Sequence, residues 1–346
     1  MNKIYIVAEI GCNHNGDFKL AKKMVDEAKK AGVDAVKFQT FKADQLISKI
    51  APKAEYQIKV TGNEESQLEM TRKLELPYDE FIKLEEYAKE LGLDVFSTAF
   101  DFDSVDFLAS RNQKMWKIPS GELLNLPYLE KIARLPIDGK EIVISTGMAT
   151  IKEIQLALNV LNQNGMKPSE ITILHCNTEY PTPFEDVNLN SIDGFKETFS
   201  EYKIGFSDHS EGYFAGIASV PYGITFIEKH FTLDKNFDGP DHKASVTPEE
   251  LTLLCQGIRA VEIALGSRDK LVTNSERKNK IVARKSIVAK CDIKQGDVFT
   301  VDNITTKRPG NGISPMSWYD ILGKTAESNF SEDQLIEHSA FVAQEI

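Results

Sequence analysis

Short, almost wholly apolar runs punctuate the first three-quarters of the chain, and between them lie longer segments with apolar residues every three or four positions. The runs are "IYIVAEIG" (4–11), "DAVKFQT" (34–40), "DVFSTAF" (94–100), "MWKIPSG" (115–121), "EIVISTG" (141–147), "ITILHCN" (171–177), "IGFSDH" (204–209) and "GITFIEKHF" (223–231). They are nearly continuous in hydrophobicity rather than alternating. That pattern predicts strands of a parallel sheet covered on both faces. The segments between them carry helix signals. From Asp17 to Ala31, Leu20, Met24, Ala28 and Ala31 form one stripe, and Gly32 follows as a stop. Thr150 and Glu153 form a capping box ahead of one helix, and Thr247 and Glu250 another, with Pro248 at its first position. The second of these helices is expected to bury Leu251, Leu254, Ile258, Val261 and Leu265 and to end at Gly266.

Eight strands, each followed by a helix, in residues 1–266 predict an α/β fold of the (β/α)8 TIM-barrel type. A doubly wound open sheet would also alternate strand and helix, but the first strand is not followed by GxGxxG. Residues 267–282 are polar and charged and read as a linker. From 283 to 346 the character changes again. "SIVAKCDIKQGDVFTVDNITTKRPGNGI" has short β-like runs broken by Lys-Gln-Gly-Asp and Pro-Gly-Asn-Gly turns, which predicts a small second domain of turns and short strands.

Bulk composition narrows the function. Hydrophobic residues make up 41% and charged residues 27%, as in ordinary globular proteins. A formal net charge of −11 argues against nucleic acid or an anionic membrane as the main partner. The four cysteines, Cys12, Cys176, Cys255 and Cys291, form no CxxC pair, and the chain opens directly into a strand. A reduced, cytoplasmic protein is expected.

In a TIM barrel, the carboxyl ends of the strands build the active site. Here these ends carry Glu9, Lys37 with Gln39, Thr98, Lys117 with Ser120 and Glu122, Ser145, Asn177 with Thr178 and Tyr180, Ser207 with His209, and His230. Lys37 and Lys117 lie inside apolar strands. Each must be compensated, either by a buried ion pair or by an anionic ligand. Two lysines at one mouth, ringed by Thr98, Ser120, Ser145 and Ser207, suit a phosphate or carboxylate. His175, within the sixth run, reads as a core residue and His338 as a surface one. His209 and His230 end strands that are neighbours in a barrel. They suit a shared divalent ion with open positions, the other reading being structural. Glu9, on a strand adjacent to the eighth, is placed to be a further ligand or a base.

Taken together, "AEIGCNHNG", "VKFQTFKAD", "FSTAFD", "KIPSGE", "STGMAT", "LHCNTEYPTP", "GFSDH", "IEKHFTLDK", "GPDHKAS" and "KRPGNGIS" resemble the sialic acid synthase family over nearly the whole chain. The resemblance implies condensation of phosphoenolpyruvate with an N-acylated hexosamine, and an antifreeze-like (SAF) domain at the C-terminus. It implies a divalent metal, typically Mn2+ with Mg2+ or Co2+ as substitutes, on His209 and His230. Phosphoenolpyruvate would be held by Lys37, Thr98, Lys117, Ser120, Ser145 and Ser207, with the Asn177–Thr178 pair. The amino sugar would meet Gln39, Glu122, Tyr180, Asp241 and Arg308, and Glu9 would serve as acid or base. It further implies a homodimer in which each tail domain caps the partner's barrel. Two strings depart from the family's usual form. "FSTAF" has Ala99 where proline is common, and "HCNT" inverts the asparagine–threonine order, leaving open which of Asn177 and Thr178 meets phosphate. N-acetylmannosamine, giving N-acetylneuraminate, is the expected sugar. A 2,4-diacetamido-6-deoxymannose, giving legionaminate, is the alternative, and pseudaminate synthesis is a third. Two readings stand outside the family: a lyase using Lys37 or Lys117 as a Schiff-base nucleophile, and a sugar-binding protein without catalysis.

Overall fold

A computed structural model describes residues 3–62 and 64–337. The chain divides into two compact units after Gly266. The first unit is the expected TIM barrel. Its strands are β1 (Tyr5–Glu9), β2 (Ala35–Thr40), β3 (Asp94–Ala99), β4 (Met115–Ile118), β5 (Glu141–Ser145), β6 (Ile171–Cys176), β7 (Lys203–Asp208) and β8 (Phe226–His230). Their order is β3-β2-β1-β8-β7-β6-β5-β4, and every registered pair is parallel. Every strand except β2 stops before the end of its apolar run, because the last residues of the run turn off into the mouth. Pro119 shows the cause most plainly. It has no N–H for the ladder, so β4 stops at Ile118 and Ser120–Glu122 coil into a single 3-10 turn.

The closing seam lies between β3 and β4, which touch but share no registered backbone ladder. A side chain takes the ladder's place. The buried Gln113 carboxamide accepts from the Ser97 N–H at 2.8 Å and donates to the Ser97 carbonyl at 2.9 Å. The Gln113 backbone carbonyl accepts from Trp116 Nε1 at 2.8 Å. Both backbone groups of Ser97 are thereby satisfied where a strand would otherwise be missing.

Strand parity sets the barrel interior. On the inward face, Val7, Ala35, Phe96, Val143, Leu174 and Phe226 pack into a small apolar floor. Gly205 completes it by having no side chain. A Cβ there would sit 2.5 Å from Leu174 Cδ2 and 2.7 Å from the Phe226 carbonyl. Two residues further along, the same face turns polar on seven of the eight strands, with Glu9, Lys37, Thr98, Lys117, Ser145, Ser207 and Glu228, while β6 presents Cys176. The outward faces meet the helices in the main core. There His175 stacks on Phe206 and its Nε2 contacts the Val187 carbonyl at 2.7 Å.

The helices form where their caps place them. Asp17 accepts from Lys19 N and Leu20 N ahead of the helix Phe18–Ala31, and Gly32 ends it in the left-handed region. Thr150 N donates to Glu153 Oε2 at 2.7 Å, and Thr247 N to Glu250 Oε2 at 2.9 Å. The helix Pro248–Ala264 buries Leu251, Leu254, Cys255 and Ile258. Leu265, expected inside, is exposed, because the helix ends before it and its last turn runs past the edge of the core. Between β2 and the helix Tyr78–Glu90 the chain makes an excursion of three short helices, Ala43–Leu46, Glu55–Thr61 and Gln67–Arg72.

In the second unit, residues read as linker include a helix, Asn274–Ala283, with Thr273 N donating to Glu276 Oε2 at 2.9 Å. It buries none of its residues, so it has no apolar period to betray it. The antiparallel strands β9 (Ser286–Ala289) and β10 (Ile304–Lys307) pair. Ile287, Ile293, Phe299, Ile304, Ile321, Phe330 and Ile336 supply most of a small core. His338 lies outside the described residues. No helix of the described residues is long and apolar enough to cross a membrane.

The seam yields a stability prediction. Gln113→Leu keeps the volume but orphans two buried backbone groups, each costing roughly 1–3 kcal/mol. Urea denaturation should show a loss of about 2–6 kcal/mol for the barrel. An unchanged midpoint would mean that the seam is held by something other than the carboxamide.

Candidate active site

The inward polar layer opens into a cavity of about 500 Å3 at the carboxyl ends of the strands. At its base, Lys117 Nζ donates to both oxygens of Glu228, at 2.8 and 2.9 Å. Lys37 Nζ lies 3.7 Å from Glu228 Oε2, bonds Thr98 Oγ1 at 3.2 Å and is in direct contact with Glu9 Oε2. All four charged groups are buried. Glu9 also accepts from Gln39 Nε2 at 3.1 Å. Ser207 Oγ donates to Glu228 Oε1 at 3.2 Å. Ser145 Oγ is buried beside these groups without a hydrogen-bond partner among the described residues.

The burial of this cluster polarises its titration. Burial opposes ionisation of Glu228, yet the adjacent Lys117 and Lys37 overcome it and hold the carboxyl well below the usual range. Glu9 moves the other way. Burial raises it, Lys37 pulls it down, and the Glu228 charge pushes it up again, for a net rise. Burial also works against the Lys37 cation, but Glu228 and Glu9 outweigh it. Lys117 is lowered, because burial and the nearby Lys37 charge exceed the pull of Glu228.

Above this layer the two histidines face each other, with ring centroids 5.2 Å apart. His209 Nδ1 is fixed by the Asn177 carbonyl, which leaves Nε2 toward Tyr180 Oη at 3.2 Å and Ser207 Oγ at 3.3 Å. Tyr180 stacks on the His209 ring at 4.1 Å. His230 Nδ1 is buried with no hydrogen-bond partner among the described residues and lies 3.9 Å from Asp241 Oδ2. Burial, with His209 and Lys37 nearby, keeps His230 well below its ordinary pKa and so neutral. His209 is raised, burial being outweighed by Cys176 and the Asn177 carbonyl. Burial pushes Asp241 up to about 6, against the pull of His209 and with the support of Glu9. A divalent cation fits this arrangement. One imidazole has an unpartnered buried nitrogen, and the other has its far nitrogen pinned so that Nε2 faces the cavity. Among the described residues no three His, Cys, Asp or Glu side chains converge to hold an ion alone, so coordination would stay open to water or ligand.

Of the sequence-predicted residues, Lys37, Gln39, Thr98, Lys117, Ser120, Glu122, Ser145, Thr178, Tyr180, Ser207, His209, His230 and Asp241 line this one cavity. Glu9 lies buried beneath it. Asn177 does not line it. Its Oδ1 accepts from Glu179 N at 2.8 Å in a local turn, so of the pair only Thr178 faces the cavity. Thr178 and Ser120 close over Gly147, where a Cβ would stand 2.6 Å from Thr178 Cγ2 and 2.9 Å from Ser120 Oγ. Arg308 belongs to the second unit, where it is exposed, with Nε on the Ala283 carbonyl at 3.1 Å. Sequence reasoning missed Glu228, although a carboxylate inside the apolar run "ITFIEKHF" carries the same signal as the two lysines. It also missed one wall. The excursion after β2 contributes Leu46, Ile47, Tyr56, Met70 and Leu74, which join Phe41 and Phe100. Tyr56 packs on Tyr180 at 5.3 Å.

An eight-stranded barrel with acid, base and anion-binding groups converging on one mouth has the layout of a TIM-barrel enzyme. Comparison with known proteins gives it a lineage. Residues 24–270 match the NeuB family and residues 284–342 the SAF domain. The chain is 52% identical over 336 residues to the N,N'-diacetyllegionaminic acid synthase of Campylobacter jejuni, covering 97% of this chain and 99% of that one. It is 35% identical to the N-acetylneuraminate-9-phosphate synthase of Homo sapiens, covering 96% of this chain and 91% of the relative. The crystal structure of N-acetylneuraminic acid (sialic acid) synthetase from Leptospira borgpetersenii superposes with a TM-score of 0.70 at 30% identity, covering 80% of this chain and 90% of that one. The chain belongs to the NeuB family of sialic acid and related sugar-acid synthases and carries a SAF domain at its C-terminus.

The ion-pair cluster can be tested by folding alone. Glu228→Leu strands a buried ammonium and should cost about 3–5 kcal/mol. Adding Lys117→Met to that variant should recover much of the loss, because a buried pair replaced by apolar residues is close to neutral. Additive losses in the double variant, measured by chemical denaturation, would show that the two groups are not coupled.

Proposed function

We propose that this protein condenses phosphoenolpyruvate with an open-chain N-acylated amino sugar and water, releasing phosphate and a nine-carbon 2-keto acid. One observation carries the reading: two buried lysines, from the strands on either side of β3, share the base of one cavity with the unpartnered hydroxyl of Ser145 and those of Thr98, Ser120 and Ser207. That is a seat for a small, densely charged anion. Membership of the NeuB family supports the same chemistry. For the sugar we favour 2,4-diacetamido-2,4,6-trideoxymannose, giving a legionaminate. The likeness to the Campylobacter legionaminic acid synthase supports this choice. So does the apolar wall of Phe41, Leu46, Ile47, Met70, Leu74 and Phe100, which suits acetamido and C6 methyl groups better than a run of hydroxyls. N-acetylmannosamine, giving N-acetylneuraminate, is the second reading, supported by the likeness to the Leptospira sialic acid synthetase.

In this reading, Lys37 and Lys117 hold phosphoenolpyruvate by its phosphate and carboxylate, with Thr98, Ser120, Ser145, Thr178 and Ser207 donating around it. Gln39, Glu122, Tyr180 and Asp241 orient the sugar. His209 and His230 would hold a divalent cation, Mn2+ by preference, whose chemistry is Lewis-acid polarisation of the aldehyde oxygen. C3 of phosphoenolpyruvate forms the new bond to the aldehyde carbon, and C2 gains positive character. Glu228, kept ionised by its two lysines, is the carboxylate closest to hand to stabilise that charge. Glu9, with its raised pKa, can take and return a proton as water adds to C2. The C2–O bond to phosphate then breaks, and C2 becomes the ketone. Lys37 and Lys117 act here as cations, not as nucleophiles.

The deciding experiment offers the purified enzyme manganese, phosphoenolpyruvate and each amino sugar in turn, with the product identified by mass spectrometry. The diacetamido sugar should release phosphate fastest. A preference for N-acetylmannosamine would transfer the assignment to the second reading. Chelation should abolish turnover and manganese should restore it, and His209→Ala or His230→Ala should match the chelated enzyme. Turnover with no bound metal would remove the cation from the scheme. A covalent adduct trapped by borohydride with pyruvate would replace the synthase with a Schiff-base lyase.

The exchanged homodimer implied by the family resemblance belongs to the same proposal, with Arg308 reaching the partner's sugar site. Mixing Arg308→Ala with His230→Ala should restore about a quarter of wild-type activity, because half of the randomly formed dimers carry one intact site of two. No recovery despite proven subunit exchange would exclude it.

A further inference from the structure

Asn13 does not line the cavity, yet it is buried, with 1% of its surface exposed, in the turn that leaves β1. Its Nδ2 donates two hydrogen bonds, to the Phe231 carbonyl at 2.8 Å and to Ser245 Oγ at 2.7 Å. Phe231 directly follows His230. Ser245 Oγ in turn donates to the Asp241 carbonyl at 2.7 Å. One carboxamide thus joins the exit of β1, the exit of β8 and the loop that carries Asp241. The only regular element of that loop is a single 3-10 turn, His242–Ala244. Backbone bonds fix the loop where it leaves and rejoins the barrel: Phe231 N to Glu9 O at 2.9 Å and Val246 N to His230 O at 2.9 Å. Those two bonds alone do not determine where Asp241 stands. The Asp241 carbonyl also accepts from Ala244 N at 3.2 Å, and the neighbouring His242 is held by Thr232 Oγ1 at 2.7 Å. The Asn13–Ser245 relay ties this turn back to the barrel at β1 and β8, and the Asp241 carboxylate stands 3.9 Å from His230 Nδ1.

We infer that Asn13, acting through Ser245, is a positioning residue that sets Asp241 for the amino sugar. The inference rests on the proposed contact between Asp241 and that substrate. An amide is required because the position must donate twice, which neither a carboxylate nor an aliphatic side chain can do. A relay of this kind acts on one substrate only. Phosphoenolpyruvate is held by the lysines and hydroxyls on the strands, which the relay does not touch.

The test is steady-state kinetics with saturating manganese, varying each substrate in turn. Asn13→Ala and Ser245→Ala should each raise the KM for the amino sugar roughly three- to tenfold, the scale of one lost positioning hydrogen bond, and leave the KM for phosphoenolpyruvate unchanged. Ser245→Thr, which keeps the hydroxyl, should behave as wild type. Added to Asp241→Asn, the Asn13→Ala change should raise the sugar KM no further. If Asn13→Ala fails to fold, Ser245→Ala and Ser245→Thr carry the test. An unchanged sugar KM in the relay variants, when Asp241→Asn itself raises it, overturns this inference alone. Equal effects on both substrates, or additivity with Asp241→Asn, assign Asn13 a purely structural role. An unchanged sugar KM in Asp241→Asn removes the substrate role of Asp241, and this inference falls with it.

Discussion

Two ammonium groups buried in one barrel repel each other, and the dry interior favours discharging both. Glu228 stands between them. Both of its oxygens face Lys117, one also lies within Coulomb reach of Lys37, and Glu9 closes the far side of Lys37. The cluster draws on β1, β2, β4 and β8, so it ties opposite walls of the barrel to one height. A one-residue slip of any of these strands would turn its charge into the apolar layer beneath the helices. The ion pairs are therefore a register constraint as well as a site. Because they balance their own charges, the mouth is assembled before any anion arrives. A ligand then has to compete with carboxylates for the lysines, which favours one carrying several charges at once.

Much of this architecture is legible in the sequence, for a physical reason. Strands covered on both faces are continuously apolar, so Lys37 and Lys117 stand out against "AVKFQ" and "MWKIP", and the eight runs announce the barrel. Glu228 and Lys229 are harder, because two opposite charges sit side by side in one run. Only strand parity separates them. Glu228 points inward to the lysines, whereas Lys229 points outward to Asp208 at 3.0 Å. Parity ends where a strand ends, so the order of Asn177 and Thr178 past β6 is undecided until the turn at Glu179 shows that the Asn177 side chain is occupied.

The least legible parts lack periodicity. The excursion after β2 is built of helices of 4, 7 and 6 residues, too short to establish an apolar stripe, yet it supplies most of the apolar wall. The helix Asn274–Ala283 is exposed all round and reads as linker for the same reason. The wall and the base of the cavity thus differ in origin. The base is fixed by strands that pair on both sides, while the wall hangs on a loop insertion that can vary without disturbing the register beneath it.

Gln113 has a topological consequence. Every neighbouring pair of strands in the barrel is joined by a backbone ladder except β3 and β4, where a side chain stands in. The covalent connection between them passes through Asn112, whose left-handed backbone (φ 58°) marks a sharp turn. A circularly permuted barrel unit opened at that turn would begin at β4, run through the barrel and end with β3 and the helix Phe102–Ser110 that follows it. In that polypeptide the order of strands along the chain would match their order in the sheet, and every pair of successive strands would share a ladder.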